Sequence, residues 1–231
     1  MAKLLLFDID NTLVFTGGAG ARALNLAFAQ LFGVEDGFAG VDFAGRTDIS
    51  IFREAAEQHR LDGYFEALLD RFKEAYHHHL ALTLPQAEAD GGGRVLPGVK
   101  ELLEALQTRR DTLLGVATGN FRRGALMKLN HYGLSYFFSD GAYGDDAEER
   151  AQLVAIAIRR LMQQMADDTR EVYIIGDTPL DISAAKANDA IAVAVATGRH
   201  SQAQLRDSGA DLVLPDLSQW QTLWQRLFAS P

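Results

Sequence analysis

Short apolar runs alternate with amphipathic stretches of helical length along the chain from about residue 95 onward. Strands that alternate with helices through short connections are typical of a parallel sheet covered by helices on both faces. We therefore expect an α/β core with a doubly wound, mostly parallel sheet. The apolar runs predict buried strands at Lys3–Ile9, Thr112–Ala117, Tyr136–Ser139, Val172–Ile175, Ile191–Val195 and Leu212–Leu214.

Residues 16–94 follow a different pattern, with helical periodicity at Ser50–Arg60 and Tyr64–Leu80 and no convincing strand run. Glycine-rich connections border this segment on both sides. We interpret it as a helical cap domain inserted after the first strand, which leaves residues 1–15 and 95–231 as the α/β core domain. The glycines would let the two domains move relative to each other, unless they are ordinary surface loops.

The composition excludes several classes of function. The chain has 22 Lys and Arg against 31 Asp and Glu, a formal charge of −9, which disfavours a nucleic-acid or anionic-membrane partner. It has no cysteine, so disulfides, cysteine-ligated metals and thiol nucleophiles are excluded. No apolar run reaches the length of a membrane span, which makes a soluble, cytoplasmic protein the default expectation. The oligomeric state stays open.

Two carboxylates, Asp8 and Asp10, come directly after the first apolar run. Ligands of open parallel sheets bind at the carboxyl ends of the strands, so these charges are expected at a functional site. Residues two apart on a strand share a face, and both carboxylates can therefore address one pocket. Burying two like charges is costly unless a cation or a proton compensates them. Acidic residues that cap the next element are the alternative.

A second acidic pair, Asp177 and Asp181, follows the Val172–Ile175 run. Together with Asp8 it would supply the hard oxygen ligands that Mg²⁺ prefers. Taken alone, the same stretch could be a helix start, with Asp177 or Thr178 as the N-cap and Pro179 in the first turn.

Thr118, Gly119 and Asn120 lie between an apolar run and a predicted helix, where a hydroxyl and free amides could bind phosphate oxygens. Thr118 could equally be a simple cap. Arg150, which opens the helix before the Asp177 strand, fits chain order best as the balancing cation. The competing candidates are Arg122, Arg123, Arg159 and Arg160. In the predicted cap, Arg46 could reach a substrate carboxylate, although its neighbours Thr47 and Asp48 could simply cap a helix.

In chain order, these residues resemble the signature of the haloacid dehalogenase-like hydrolase superfamily. Asp8-Ile9-Asp10-Asn11-Thr12 corresponds to its first motif, Thr118 to the second, Arg150 to the third, and Asp177 with Asp181 to the fourth. The inserted helices resemble the cap of its phosphoglycolate-phosphatase-like branch, and the resemblance implies a Rossmann-like core. Arg150 is a departure, because lysine is commoner at the third motif in the family.

The resemblance also implies a mechanism. Asp8 would attack phosphorus to form an aspartyl phosphate, while Asp10 would donate a proton to the leaving alcohol and later accept one from water. Mg²⁺ would be held by Asp8, the Asp10 backbone carbonyl and Asp177. The remaining roles are phosphate binding by Thr118, Gly119, Asn120 and Arg150, and support of Arg150 or of a metal-bound water by Asp181.

The sequence therefore predicts a Mg²⁺-dependent phosphatase that hydrolyses a small phosphate monoester, a soluble phosphorylated metabolite. A phosphomutase of the same superfamily is the alternative. The dehalogenase branch is disfavoured, because Asp10 is present here and is absent from that branch. A receiver-like signalling module is disfavoured as well, because its phosphorylated aspartate lies on a later strand and its acidic pair on the first.

Overall fold

A six-stranded sheet forms the centre of the molecule, in which a computed structural model describes residues 2–165 and 170–228. The strand order is β5-β4-β1-β6-β7-β8, and every neighbouring pair is parallel. The expected doubly wound α/β core is therefore confirmed. The strands are β1 (Ala2–Phe7), β4 (Thr112–Ala117), β5 (Gly141–Ala142), β6 (Arg170–Gly176), β7 (Ile191–Val195) and β8 (Leu212–Leu214).

Strand β1 lies in the middle of the sheet, and all six of its residues are buried. Successive side chains of a strand point to opposite faces, so Leu5 and Phe7 enter one hydrophobic cluster while Leu4 and Leu6 enter another. This two-sided burial explains why β1 is a continuous apolar run with no alternation.

Helices cover both faces of the sheet. The Leu5 cluster includes apolar residues of α4 (Val99–Gln107), α5 (Arg122–His131) and α9 (Trp220–Phe228). The Leu4 cluster includes residues of α6 (Arg150–Met162), α7 (Pro179–Ala187) and α8 (Gln202–Asp207). Each face therefore has its own core, as doubly wound folds require.

The strand predicted at Tyr136–Ser139 is wrong. Residues 135–137 form a short 3₁₀ helix that buries Phe137 and leaves Tyr136 exposed, and β5 follows at Gly141–Ala142. Gly141 pairs with Val116, and a Cβ on Gly141 would lie 2.3 Å from the Val116 carbonyl oxygen. A strand made of glycine and alanine has no apolar run, so the pattern placed the strand on the adjacent aromatic residues.

Three α-helices lie within residues 17–92: α1 (Ala19–Phe32), α2 (Asp48–Gln58) and α3 (Phe65–Ala89). They form the inserted cap that the sequence predicts. Their shared core is aromatic, with the rings of Phe52 and Phe72 stacked at 3.9 Å and Phe28 packed edge-on to both. In the described parts of the chain, no helix is long and apolar enough to cross a membrane.

An antiparallel ribbon joins the cap to the core. It consists of β2 (Val14–Thr16) and β3 (Gly93–Val95), and Thr16 pairs with Gly93. Strands of three residues are too short to give a sequence pattern, and none was expected here. The predicted domain boundaries, 15/16 and 94/95, fall inside these strands and stay predictions.

Candidate active site

Three neighbouring strands of the sheet end at the candidate site. Asp8 follows β1, Thr118 follows β4 and Asp177 follows β6, and β1 lies between the other two. The carboxyl ends of parallel strands share one edge, so residues that are far apart in the chain lie there together. Asp8, Thr118 and Asp177 are all buried.

Asp8, Asp177 and Asp181 form an acidic cluster in which one carboxylate oxygen of each lies within 4.8 Å of the others. Burial, together with the charges of Asp181 and Asp8, raises the pKa of Asp177 to about 9. Burial also raises the pKa of Asp8 to about 6, against the opposing charge of Arg150. The cluster therefore carries more negative charge than its surroundings balance.

Arg150 is the cation of this cluster. Its Nη2 lies 3.1 Å from Asp8 Oδ1 and 2.5 Å from Asp181 Oδ1, and it also donates to the Ala117 carbonyl at 3.0 Å. Although burial alone would lower the pKa of Arg150, Asp181 and Asp8 raise it above its ordinary value, so the guanidinium stays charged. The predicted third-motif cation thus lies beside the predicted nucleophile, on the first turn of α6.

Asp181 is held by both of its oxygens. Oδ1 accepts from Arg150, and Oδ2 accepts from the Thr178 amide at 3.1 Å and the Thr178 hydroxyl at 2.7 Å. The Thr178 hydroxyl in turn caps α7, and Pro179 opens that helix. The helix-start alternative for this stretch therefore holds with Thr178 as the cap, while Asp177 stays in the acidic cluster.

The acidic cluster fits a divalent cation. Its ligand atoms are hard carboxylate oxygens, the type that Mg²⁺ binds, and a cation there would compensate the charge that raises the pKa of Asp177. Because Asp181 is engaged by Arg150 and Thr178, Asp8 and Asp177 are the side chains with carboxylate oxygens to offer, as the sequence predicts.

The Asp10 side chain belongs to a separate hydrogen-bond group. Asp10 Oδ2 accepts from Asn120 Nδ2 at 2.8 Å and from Lys128 Nζ at 2.6 Å. Lys128 Nζ also donates to Asn120 Oδ1, and Asn120 Nδ2 donates to the Thr118 hydroxyl at 2.8 Å. Both bonds end on Oδ2, so the Asp10 side chain is directed to α5 and the loop, and its backbone carbonyl is the group that the sequence predicts for the metal site.

Sequence reasoning missed Lys128. The buried residues of α5 are Gly124, Ala125, Lys128 and Leu129, so the lysine occupies a position of the helix face that packs inward. A lysine in line with buried residues at i−4 and i+1 is the sequence signal that could have revealed it.

The loop of residues 118–121 packs against the start of α2 in the cap. The Asp48 amide donates to the Gly119 carbonyl at 2.7 Å, and Asp48 Oδ2 accepts from the Phe121 amide at 2.8 Å. A Cβ on Gly119 would lie 2.1 Å from the Arg46 carbonyl oxygen, so only glycine fits this approach. The Phe121 amide is therefore engaged by the cap, and phosphate binding by Thr118, Gly119 and Asn120 stays a prediction.

Arg46 does not extend alone into the site. Its guanidinium pairs with Glu54 and donates to the Ser50 carbonyl at 3.1 Å and the Asp42 carbonyl at 3.3 Å. Thr47 caps α2 through its hydroxyl, which accepts from the Ser50 amide at 3.3 Å. The capping alternative is therefore correct for Thr47, and a substrate contact by Arg46 stays a prediction.

A cavity of about 480 Å³ lies between the cap and the strand ends. Asp8, Asp10 and Asp177 line it together with Asn120, Lys128 and Arg150, and the cap contributes an apolar wall. Thr118 is fully buried behind Asn120 and is not part of the cavity wall. The wall includes Leu24, Val41, Phe43, Ile51 and Tyr76.

The chain is similar to several known proteins. It is 29% identical over 231 aligned residues to the phosphoglycolate phosphatase of Rhodospirillum rubrum, an alignment that covers 94% of this chain and 89% of the relative. Its fold matches a Clostridium acetobutylicum crystal structure, provisionally described as a phosphatase, with a TM-score of 0.72 and 17% identity over 98% of this chain and 99% of that one.

A second solved structure extends the likeness in fold. A Thermotoga maritima protein, provisionally described as a β-phosphoglucomutase, matches with a TM-score of 0.61 and 19% identity over 99% of this chain and 100% of that one. The model of the haloacid dehalogenase-like hydrolase family matches residues 2–189, which include Asp8, Asp10, Thr118, Arg150, Asp177 and Asp181. The chain therefore belongs to the haloacid dehalogenase-like hydrolase family.

Proposed function

We propose that this enzyme is a Mg²⁺-dependent phosphatase that hydrolyses a small phosphate monoester through an aspartyl-phosphate intermediate. The observation that carries the proposal is the buried Asp8 carboxylate, which lies beside Arg150 and within an acidic cluster that fits a divalent cation. Asp10, the second carboxylate after β1, also lines the cavity. The phosphatase relatives support the same reaction class.

In the first step, an Asp8 carboxylate oxygen attacks phosphorus in line with the ester oxygen. The P–O bond to the alcohol breaks, and protonated Asp10 gives its proton to the departing oxygen. In the second step, Asp10 accepts a proton from water as the water oxygen attacks phosphorus. The Asp8–phosphorus bond then breaks, which releases phosphate and restores the Asp8 carboxylate.

Arg150 binds phosphoryl oxygens through its guanidinium, with the Thr118–Asn120 loop supplying further donors. Its hydrogen bonds to Asp181 and to the Ala117 carbonyl fix the guanidinium beside Asp8. Bound Mg²⁺, held by Asp8, the Asp10 carbonyl and Asp177, would supply neutralisation of charge on the phosphoryl group.

The position of the cap favours a small substrate, because cap residues line the same cavity as the carboxylates and would help to exclude bulk water from the reacting groups. We propose phosphoglycolate as the first ester to try, since it is the substrate in the name of the sequence relatives. A phosphomutase is the second candidate, and its product would separate the two: released phosphate indicates hydrolysis, an isomerised sugar phosphate indicates transfer.

The test is release of inorganic phosphate from a panel of small esters, with Mg²⁺ and then with excess chelator. We expect turnover that requires the metal and that falls by more than about 10³-fold in Asp8→Asn, because no other nucleophile replaces the carboxylate. Asp207→Asn, an exposed change on α8, is the matched control and should turn over normally. Full activity of Asp8→Asn would refute the mechanism.

A further inference from the structure

The buried lysine of α5 has no role in the mechanism above. Lys128 is 3% exposed, and burying an ammonium costs several kcal/mol unless the charge is paired and hydrogen-bonded. Its Nζ donates to Asp10 Oδ2 at 2.6 Å and to Asn120 Oδ1. Arg150, the other buried cation at the site, contacts Asp8 and Asp181. The two cations therefore serve different carboxylates.

The two carboxylate oxygens of Asp10 differ in the hydrogen bonds that they accept. Both Lys128 Nζ and Asn120 Nδ2 donate to Oδ2, whereas no hydrogen bond from a residue that the structure describes ends on Oδ1. The Asp10 side chain is 34% exposed and the Lys128 side chain is 4% exposed. The buried ammonium of Lys128 therefore binds a carboxylate that is partly exposed to solvent. Oδ1 is left to exchange a proton with the substrate.

The side-chain amide of Asn120 can bind both Lys128 and Asp10 in one orientation only. A lysine ammonium donates and never accepts, so the amide oxygen of Asn120 must face Lys128 and its NH₂ group must face Asp10. The same NH₂ group donates to the Thr118 hydroxyl at 2.8 Å. Lys128 thereby ties the position of Asp10 to the loop that we propose binds phosphate.

We propose that Lys128 is a positioning residue for Asp10: it fixes Oδ2 and leaves Oδ1 as the oxygen that exchanges protons with the leaving group and with water. This inference rests on the proposed phosphatase function. It assigns Lys128 its main effect on proton transfer to the leaving group, with only a small effect, through Asn120, on binding of the phosphoryl group.

The experiment compares an alkyl phosphate, whose leaving group needs a proton, with 4-nitrophenyl phosphate, whose leaving group departs readily without one. Single-turnover rates of phosphoryl transfer to Asp8 are measured for the unaltered enzyme, Lys128→Met and Lys128→Arg. General acids contribute roughly 10²–10⁴-fold, so we expect Lys128→Met to slow the alkyl ester about 10²-fold and the aryl ester less than about 5-fold, with little change in KM. Lys128→Arg, which keeps the charge and the donors, should recover part of the loss.

Two control experiments distinguish the positioning of Asp10 for proton transfer from a role in substrate binding or in folding. Asp10→Asn should show the same selectivity for leaving groups, and adding Lys128→Met to it should cause no further loss, because the two changes disable one function. Lys128→Gln keeps a donor and serves as a second variant if Lys128→Met fails to fold. Equal losses for both esters, or a rise in KM alone, would overturn the proposal. No phosphate release by the unaltered enzyme would instead refute the phosphatase function.

Discussion

The two halves of the site differ in how their charges are balanced. On the β6 side, three buried carboxylates share one guanidinium, that of Arg150. On the α5 side, Asp10 pairs with one ammonium, that of Lys128. A half with excess negative charge needs a further cation to be fully ionised, whereas a half that is already paired has its geometry fixed by the protein. In the function that we propose, the first half serves metal binding and the second serves proton transfer.

Of the experiments that test this difference between the two halves of the site, the largest effect is expected on metal binding. We expect Asp177→Asn to weaken Mg²⁺ binding by more than about 100-fold, since even the loss of a group that supports a ligand costs roughly 10–100-fold. Lys128→Met should leave Mg²⁺ affinity unchanged, because the Lys128 ammonium binds the side chains of Asp10 and Asn120 and not the acidic cluster. Calorimetric titration with Mg²⁺ measures both. A similar loss in the two variants would show that the halves are not separate.

Mg²⁺ should stabilise the protein more as pH rises. The folded pKa of Asp177, about 9, and that of Asp8, about 6, lie above their ordinary value of 3.8. Without metal, the stability from these groups is full below pH 3.8 and is lost as pH rises through 6 and 9. A metal held at 100 times its Kd adds about 2.7 kcal/mol, or roughly 5–10 °C in Tm, which we expect at pH 8 and much less at pH 5.

Thermal unfolding at the two pH values, with Mg²⁺ and with chelator, measures this difference. Asp177→Asn is the control, in which the pH dependence of the Mg²⁺ effect should largely disappear. A metal-induced rise in Tm that is larger at pH 5 than at pH 8 would contradict the prediction.

Asp48, at the contact between the cap and the core, should give a smaller effect that is independent of metal. Burial raises the pKa of Asp48 to about 7, against the opposing charge of Lys128, so its contribution to stability is lost as pH rises from 3.8 through 7. Asp48→Asn keeps an acceptor for the Phe121 amide without the charge. We expect a gain on the order of 2 kcal/mol at pH 8 and almost none at pH 4.

Urea unfolding at the two pH values measures the Asp48→Asn effect, with Asp207→Asn as the exposed control. A loss of stability at pH 8 would show that the attraction between Asp48 and Lys128 outweighs the cost of burying the carboxylate.

The smallest effect is expected from an exposed ion pair between cap and core. Arg123 on α5 donates to Glu74 on α3 at 2.9 Å, and the two side chains are 60% and 71% exposed. Such pairs contribute less than about 1 kcal/mol, so Arg123→Ala should change the free energy of unfolding by no more than that. Urea unfolding at low and high salt measures it. A larger loss would indicate that this pair holds the cap in place.

The sequence alone predicted those features that follow from a local residue pattern, such as an apolar strand followed by an aspartate. Asp8 and Asp177 follow apolar strands directly, and the parallel pairing of β1 with β6 brings them together at one edge of the sheet. Lys128 and Asp48 were not predicted as site residues, because their neighbours come from distant segments: Lys128 meets Asp10 across 118 positions. The glycine–alanine strand β5 was missed because its pairing with Val116, and not its side chains, defines it.

The β2–β3 ribbon gives the cap an unusual relation to the rest of the chain. Because Thr16 pairs with Gly93, the polypeptide leaves the core and returns to it at one place, while α2 and α3 contact the core beyond the ribbon. The cost of closing a loop grows only slowly with its length, and here the ribbon already holds the two ends together. A change in the length of the cap helices can therefore be absorbed beyond the ribbon, with the two ends of the segment still held together at Thr16 and Gly93.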